Sequence, residues 1–456
     1  MNSKQQQPNR NYGPVWISKR NEKTERLLSR SYRKDQILIF FKKKPTEKNI
    51  QVIKESFKKQ GFKTETIKIS SCGNCDIPVQ LWSAKGIHGL ISGDSLKAGS
   101  GPASTTVGES YSLNFFNSLP ADPQKRFEAR PDKGSIPQRK KQEIVIAVLD
   151  TGVDTNLVDP QYLWKEKDKT AAAECFKHVH EGWNFVGNNG VYHDDNPGKH
   201  GSIVSQYIIN QFKDVKENGV KIMPLKTHDK DGVGDLFGTI CAINFAIAKG
   251  AQIINASWGF YYYYEMPIPY LKTLITGILR KKGILFVTAA GNKIEADDVI
   301  ARQIYQMEHG VILTDDQLRD IAIHNFYPAH LSTSTNSVIA VTTTDGNTVT
   351  PTQNYSRKFI DLGVLADQVS RTGMKFKLPF ETGATSEFIS GSSFATAIAS
   401  GIIGAYCKKS LYVPNIKKAD FLSALQAQPN DDGTGNVLVN KIILAKKHIK
   451  NGSCVK

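Results

Sequence analysis

The sequence predicts an α/β protein in which a large domain follows a smaller one. Three observations lead to this prediction. The chain has 456 residues, enough for two hydrophobic cores. An apolar run at 144–149 ends at Asp150, and a second apolar segment begins at His200, as strands and helices of a large domain do. Nearer the start, residues 36–82 combine short apolar runs with one helical pattern, which is typical of a small α+β unit.

The smaller domain is predicted over 36–89. Its expected elements are, in order, a strand at 36–41, a helix at 47–60, a strand at 64–69 and a strand at 79–82. The helix carries Ile50, Ile53 and Phe57 on one face and stops at Gly61, a residue type that ends helices readily.

The segments that flank the smaller domain lack this periodicity. Residues 1–35 are polar and basic and are predicted to be a flexible tail, and residues 90–141, rich in Gly, Ser, Thr, Pro and charge, are predicted to be a linker. The formal net charge is +16, and residues 1–70 carry most of it, with 18 Lys and Arg against 6 Asp and Glu. No base-stacking pattern accompanies this charge, so a nucleic-acid partner is not predicted.

Four polar residues stand at the ends of apolar elements, namely Asp150, His200, Asn292 and Ser393. Each one alone is explained as a turn or cap residue. Together, however, they supply an orienting carboxylate, a base that titrates near neutral pH, an amide donor and a nucleophile. Ser393 also opens a small-residue helix, whose N-terminus favours a developing oxyanion.

The segments around these residues resemble the subtilases, the subtilisin-like serine proteases of the peptidase S8 type, over roughly residues 140–450. The matching segments are 146–154, 194–202, 255–259, 287–292, 391–395 and 433–440. The resemblance implies a subtilisin-like three-layer αβα domain with a mostly parallel sheet over 142–450. It also implies that the small α+β region, which matches in topology only, is similar to the inhibitory prodomain of the family.

The resemblance further implies a serine endopeptidase that forms an acyl-enzyme and is made as a latent precursor. Ser393 would be the nucleophile, His200 its base, Asp150 the residue that orients the imidazole, and Asn292 a donor to the oxyanion. Cleavage of the precursor is expected between 118 and 141, where Lys140 and Lys141 offer a basic site.

A polypeptide substrate is expected to bind as an extended strand through main-chain hydrogen bonds. The resemblance assigns substrate binding to Gly232, Val233 and Gly234 on an edge strand, and to Ser257, Trp258, Gly259, Ala289, Ala290 and Gly291 in the two walls of the primary pocket. Two interpretations of Tyr261–Tyr264 stay open. These residues either line the pocket rim and favour apolar or aromatic substrates, or form a self-packed loop. The chain's own N-terminal region is the second expected partner.

Three departures from the family pattern leave alternatives open. Ile203 stands where the family often has a second histidine, and the segment 293–326 is longer than the loop expected there. Ala397 replaces a proline in the helix after Ser393, a change that favours acyl transfer to an amine in this family, so a peptide ligase or transpeptidase is an alternative function. A catalytically silent binding protein is the other alternative, and the complete set of four site residues argues against it.

The cysteines indicate no metal centre. Cys72 and Cys75 are expected to form a redox pair or a tight turn, because a structural zinc needs two more ligands. Cys241 and Cys407 lie in apolar segments and are expected to be buried thiols. No cofactor is predicted, and a calcium requirement is implied by the resemblance alone.

Neither a signal peptide nor a membrane-spanning run is recognised in the sequence. A cytoplasmic location without membrane contact is therefore expected, with unconventional export as the alternative.

Overall fold

The fold is that of a computed structural model of the chain. It describes residues 13–17, 22–28, 31–73, 75–91, 107–119, 142–166, 175–213, 215–264, 268–344, 352–370, 373–380, 388–424, 428–429 and 442–444. Lys140, Lys141 and the matching segment 433–440 lie outside these ranges. No helix within the described ranges has both the length and the apolar character that crossing a membrane requires.

The larger domain is built on a mostly parallel sheet, as predicted. The strands, in chain order, are β1 (Tyr32–Phe40), β2 (Lys68–Ser70), β3 (Val79–Ser83), β4 (Ser110–Ser118), β5 (Gln142–Asp150), β6 (Trp183–Asn184), β7 (Asn218–Lys226), β8 (Val233–Asp235), β9 (Ile253–Ala256), β10 (Phe260–Tyr261), β11 (Leu285–Ala289), β12 (Phe326–Tyr327), β13 (Val338–Thr344), β14 (Leu362–Leu365), β15 (Gln368–Ser370), β16 (Gly373–Lys377), β17 (Phe388–Ser390), β18 (Gln428–Pro429) and β19 (Ile442–Leu444). The spatial order in the large sheet is β18-β19-β14-β13-β11-β9-β5-β7-β6, and β18 is its antiparallel strand.

Helices cover both faces of this sheet and complete three layers. The helices of the described residues, in chain order, are α1 (Glu22–Leu28), α2 (Glu47–Lys59), α3 (His200–Asn210), α4 (Leu236–Ala248), α5 (Pro269–Thr273), α6 (Leu279–Lys281), α7 (Glu295–His309), α8 (Asp315–Arg319), α9 (Ser392–Tyr406) and α10 (Lys418–Ala424), with a π-helical turn at Leu274–Ile278. Helices α3 and α9 pack against each other on one face, and α4 lies on the opposite face. The predicted three-layer αβα architecture is confirmed.

Strand β5 shows why the sheet lies between two layers. Successive strand residues point to opposite faces. Ile144, Ile146 and Val148 therefore enter the core beneath α3 and α9, and Ala147 and Leu149 enter the other core. An apolar run without polar alternation is what a strand covered on both faces requires.

The N-terminal region forms an antiparallel sheet in the order β2-β3-β1-β4-β8. Helix α2 packs on it through Phe57, whose ring lies 5.7 Å from Trp82 and 6.0 Å from Tyr111. The strand–helix–strand–strand order is as expected, but much of the strand predicted at 64–69 is a 3₁₀ turn, Thr64–Thr66. The fourth strand, β4, was not predicted, and it joins this sheet to β8 of the larger domain.

Two expectations about the flanking segments need correction, although the domain boundaries themselves stay a prediction. Within the expected tail, residues 13–17 lie against the larger domain, because the amides of Val15 and Ile17 donate to the carbonyls of Ile323 and Tyr263. Within the expected linker, residues 110–118 form β4. The composition of both segments suggested flexibility. In the structure, residues 13–17 are held by hydrogen bonds to the larger domain, and β4 is held by pairing with β1 and β8.

The cysteines form two bridges that the sequence did not predict. Cys72 is bonded to Cys241 and Cys75 to Cys175, so Cys72 and Cys75 do not pair with each other. Cys241 is therefore not a thiol, which corrects that expectation, whereas Cys407 is a buried thiol as predicted. Both bridges connect the small N-terminal domain to the larger one.

Candidate active site

The four predicted site residues lie at one edge of the large sheet. Asp150 is the last residue of β5, and Asn292 follows the end of β11. His200 begins α3, and Ser393 lies in the first turn of α9. In a parallel sheet the carboxyl ends of the strands share an edge with the starts of the following helices, which brings these residues together.

Asp150 holds one nitrogen of the His200 ring. Nδ1 of His200 lies 2.8 Å from Oδ1 and 3.0 Å from Oδ2 of Asp150, and Asp150 is fully buried. The amide of Thr151 also donates to Oδ1, which fixes the carboxylate. Because Nδ1–H faces the carboxylate, Nε2 is the nitrogen left to exchange a proton, and it has no hydrogen-bond partner within the described residues.

The hydroxyl of Ser393 points to a different neighbour. It donates to the carbonyl oxygen of Ser257 at 2.9 Å, and the Ser257 hydroxyl donates to the carbonyl of Ser393 at 2.9 Å. Asn255 donates to the Ser257 hydroxyl, and Ser400 donates to Asn255, each at 2.9 Å. This chain of hydrogen bonds fixes the start of α9 against the end of β9.

Asn292 is oriented by the same helix start. Its side-chain oxygen accepts from the amide of Ser392 at 3.0 Å, which leaves its Nδ2 donors for another acceptor. Nδ2 lies 3.7 Å from where a Cβ on Gly391 would stand, close to the N-terminus of α9. The side-chain amide of Asn292 therefore lies beside the start of α9, where the helix dipole favours negative charge.

A cleft of about 850 Å³ opens over these residues. Of the predicted pocket residues, those that line it are Ser257, Trp258, Gly259, Ala289 and Gly291. Ala290, also predicted to bind substrate, does not line the cleft. Its main chain is engaged elsewhere, because its carbonyl oxygen accepts from the Asn354 side chain and its amide donates to the carbonyl of Val341. Its main chain therefore holds one wall of the pocket in place.

Tyr261–Tyr264 are all buried and absent from the cleft lining. Tyr262 and Tyr264 pack on Phe115 of β4, with ring centroids 5.6 and 5.5 Å away. The self-packed interpretation is therefore the one that the structure supports.

Residues 117–119 of the chain itself run along the predicted substrate path. Ser118 exchanges main-chain hydrogen bonds with Gly259, at 3.1 and 3.4 Å, and the amide of Leu119 donates to Gly232 at 3.0 Å. Asn117 pairs with Gly234, where a Cβ atom would stand 2.5 Å from the Asn117 side chain. The edge strand 232–234 is thus occupied by β4 in the extended form expected of a substrate.

Two buried groups near Asp150 and His200 were not assigned a role from the sequence. His228 donates its amide to the carbonyl of Asp150, and burial lowers the pKa of its ring to about 4, so the ring is neutral at pH 7. Asp194 accepts from the amide and hydroxyl of Ser202, and burial raises the pKa of its carboxyl. It therefore fixes the first turn of α3, the helix that begins at His200.

The long segment 293–326 carries a buried charge network. Arg319 donates to Asp298 and to the side chain of Asn354. Asn354 donates to the carbonyl of Ala290, and the Tyr261 hydroxyl donates to the carbonyl of Asn292. The network therefore supports the main chain on both sides of Gly291.

Comparison with known proteins finds a matching family and related sequences. The model of the subtilase family, Peptidase_S8, matches residues 141–426. The cell wall-associated protease of Bacillus subtilis (strain 168) is 35% identical over 132 residues, which are 28% of this chain and 13% of that protein. Subtilisin-like protease 2 of Plasmodium falciparum (isolate 3D7) is 29% identical over 168 residues, or 35% of this chain and 12% of that protein. The matched segments thus span a small part of these longer relatives.

Proposed function

Because this chain belongs to the subtilase family, we propose that it is a serine endopeptidase that forms an acyl-enzyme at Ser393 and is held latent by its own N-terminal region. The observation that carries the proposal is the hydrogen bond from His200 Nδ1 to Asp150, which leaves Nε2 available as the base. The two relatives described above are both named as proteases.

In the proposed reaction, Ser393 leaves the Ser257 carbonyl and gives its proton to Nε2 of His200 as Oγ attacks the substrate carbonyl. Catalytic hydrogen bonds are commonly absent before the substrate is bound, so the resting position of Ser393 is compatible with this role. The negative charge that develops on the carbonyl oxygen is stabilised by Nδ2 of Asn292 and the amide of Ser393. The imidazolium then protonates the leaving amine, and water resolves the acyl-enzyme.

In this proposal the enzyme is latent because residues 117–119 block the cleft. Residues 117–119 use the main-chain groups of Gly232, Gly234 and Gly259 that a substrate strand would use. The two bridges hold this region to the larger domain, so a cut between 118 and 141 frees the chain end but does not release the domain.

The two disulfide bridges are also relevant to the cellular compartment of the protein. A cytoplasmic location stays a prediction, but disulfides persist mainly in oxidising compartments. We therefore add the proposal that the protein folds in such a compartment. Localisation of the tagged chain by microscopy and fractionation tests it.

The enzymatic proposal is tested with the full chain carrying a specific cleavage site between 120 and 141. After nicking and treatment with a thiol reductant, we expect hydrolysis of an unfolded protein substrate, abolished by Ser393→Ala and retained by the exposed control Ser423→Ala. Hydrolysis that survives Ser393→Ala contradicts the assignment of the nucleophile. If added glycinamide is incorporated into most products, the ligase alternative raised by Ala397 replaces hydrolysis. If wild type shows no reaction, the silent binding protein replaces both.

A further inference from the structure

The primary pocket, defined by its walls 257–259 and 289–291, contains an aromatic ring of the protein itself. Phe326 lies in β12 and pairs with Tyr261 of β10, which places it at the edge of both walls. It is one of the residues that line the cleft, yet only 4% of its surface is exposed. A large apolar side chain inside a pocket for substrate side chains reduces the space available to them.

Distances to the two walls locate the ring between them. A Cβ atom on Gly259 would stand 2.2 Å from Cε1 and 2.4 Å from Cζ of Phe326. A Cβ atom on Gly291, in the opposite wall, would stand 2.7 Å from Cζ and 2.8 Å from Cε1. Since carbon atoms pack best at about 3.5–4.0 Å, the same edge of one ring already fills the gap between two glycines.

The ring is held in this position from behind. It packs edge-to-face on Tyr261, with the ring centroids 5.0 Å apart, and Tyr261 is stacked on His324 at 3.8 Å. Tyr261 is also hydrogen-bonded to Asn354, whose Nδ2 would lie 2.7 Å from a Cβ on Gly291. An incoming side chain could not push Phe326 deeper without disrupting this buried packing, which is costly in a close-packed interior.

We propose that Phe326 restricts the primary pocket to small side chains, so that the enzyme cleaves polypeptides after Gly, Ala or Ser. This inference rests on the proposed function, because it names the substrate class of the same site. A preference for small residues differs from the preference for apolar or aromatic residues that one interpretation of Tyr261–Tyr264 implied. It also makes Lys140–Lys141 unsuitable for self-cleavage, since a lysine side chain would not fit beside the ring.

The test uses the nicked and reduced full chain and fluorogenic peptides with the sequence Asn-Ser-Leu-Xaa, which repeats residues 117–119 before the varied position. We expect kcat/KM for Ala to exceed that for Phe or Lys at least about 100-fold, because the last two residues are several methylene groups too large. Phe326→Gly should raise kcat/KM for the peptide with Phe at the varied position at least about tenfold. Phe326→Val disturbs the strand less and should raise kcat/KM for the peptide with Leu at that position.

The control is Phe359→Val, a half-buried phenylalanine outside the cleft, which should leave the preference unchanged. An alkyl fluorophosphonate, which needs no residue in the primary pocket, reports on the nucleophile separately. Labelling of Ser393 together with a preference for Phe or Lys overturns the pocket inference and leaves the proposed function intact. Failure of wild type to label overturns both, since there is then no acyl-enzyme for the pocket to select.

Discussion

The Ser393 hydroxyl donates to the Ser257 carbonyl at 2.9 Å, and the Ser257 hydroxyl returns a hydrogen bond to the Ser393 carbonyl. The Ser393 hydroxyl is therefore held just past the end of β9, while Nε2 of His200 has no hydrogen-bond partner within the described part of the chain. The proposed attack requires this hydroxyl to leave Ser257. The hydrogen bond between Asp150 and His200 is already formed, whereas one between His200 and Ser393 is not.

Removing the amide of Asn292 tests the oxyanion site. Asn292→Ala should lower kcat by about 100- to 1000-fold with little change in KM, because the lost donor acts mainly in the transition state. The measurement is steady-state hydrolysis of a peptide ending in Ala. Asn156→Ala, an exposed asparagine away from the cleft, is the control. A kcat equal to that of wild type would exclude this role for Asn292.

The two bridges predict the behaviour of a cut chain on a denaturing gel. After cleavage between 120 and 141, wild type should run as one species of about 50 kDa without reductant and as two fragments with it. Cys407→Ser should behave like wild type, whereas the double variant Cys72→Ser/Cys75→Ser should separate without reductant. Separation of oxidised wild type would show that the bridges do not form.

Partly buried His330 predicts a pH-dependent change in stability. Burial lowers the pKa of its ring to about 4, from 6.5, so the unfolded chain binds more protons than the folded chain between these values. Its contribution to stability is therefore present above pH 6.5 and lost as the pH falls to 4.

Urea unfolding of wild type and His330→Gln measures this contribution. Carboxyls such as that of Asp297, whose pKa desolvation raises to about 6, titrate in the opposite sense in both proteins and cancel in the difference. From pH 7 to pH 4, the free energy of unfolding of wild type should fall relative to the variant by about 3 kcal/mol. A pH-independent difference would argue against a buried neutral imidazole at this position.

The buried pair Arg319 and Asp298 predicts an asymmetric loss of stability. Arg319→Leu should cost about 3–5 kcal/mol of unfolding free energy, because it leaves the Asp298 carboxylate buried without its main partner. The double variant with Asp298→Leu should cost less. The more exposed pair Arg302 and Asp315 is the control, since Arg302→Met should cost less than about 1 kcal/mol. Equal losses in both pairs would contradict this interpretation.

The sequence predicted the large sheet, and the structure brings the four candidate residues to one edge of it, because both features depend on short local signals. Long apolar runs indicate strands covered on both faces, and polar residues at the ends of these strands lie at a shared edge. Strand β5 ends at Asp150, and helix α9 has Ser393 in its first turn, so both residues lie directly at the end of an element.

Features that depend on distant parts of the chain could not be predicted. Strand β4 has a weak local pattern and is ordered by pairing with β1 and β8. Cys72 and Cys241 are 169 residues apart, and spacing alone does not determine a pairing. Phe326 ends the long segment 293–326, but its position between Gly259 and Gly291 depends on how both pocket walls fold.

The proposed role of Ser393 as nucleophile is tested most directly by the site of covalent labelling by an alkyl fluorophosphonate, mapped by peptide mass spectrometry on the nicked and reduced chain. We expect one adduct, on Ser393, in wild type and its near absence in His200→Ala, because the hydroxyl is a weak nucleophile without its base. No adduct on Ser393, or equal labelling of wild type and His200→Ala, would contradict this role.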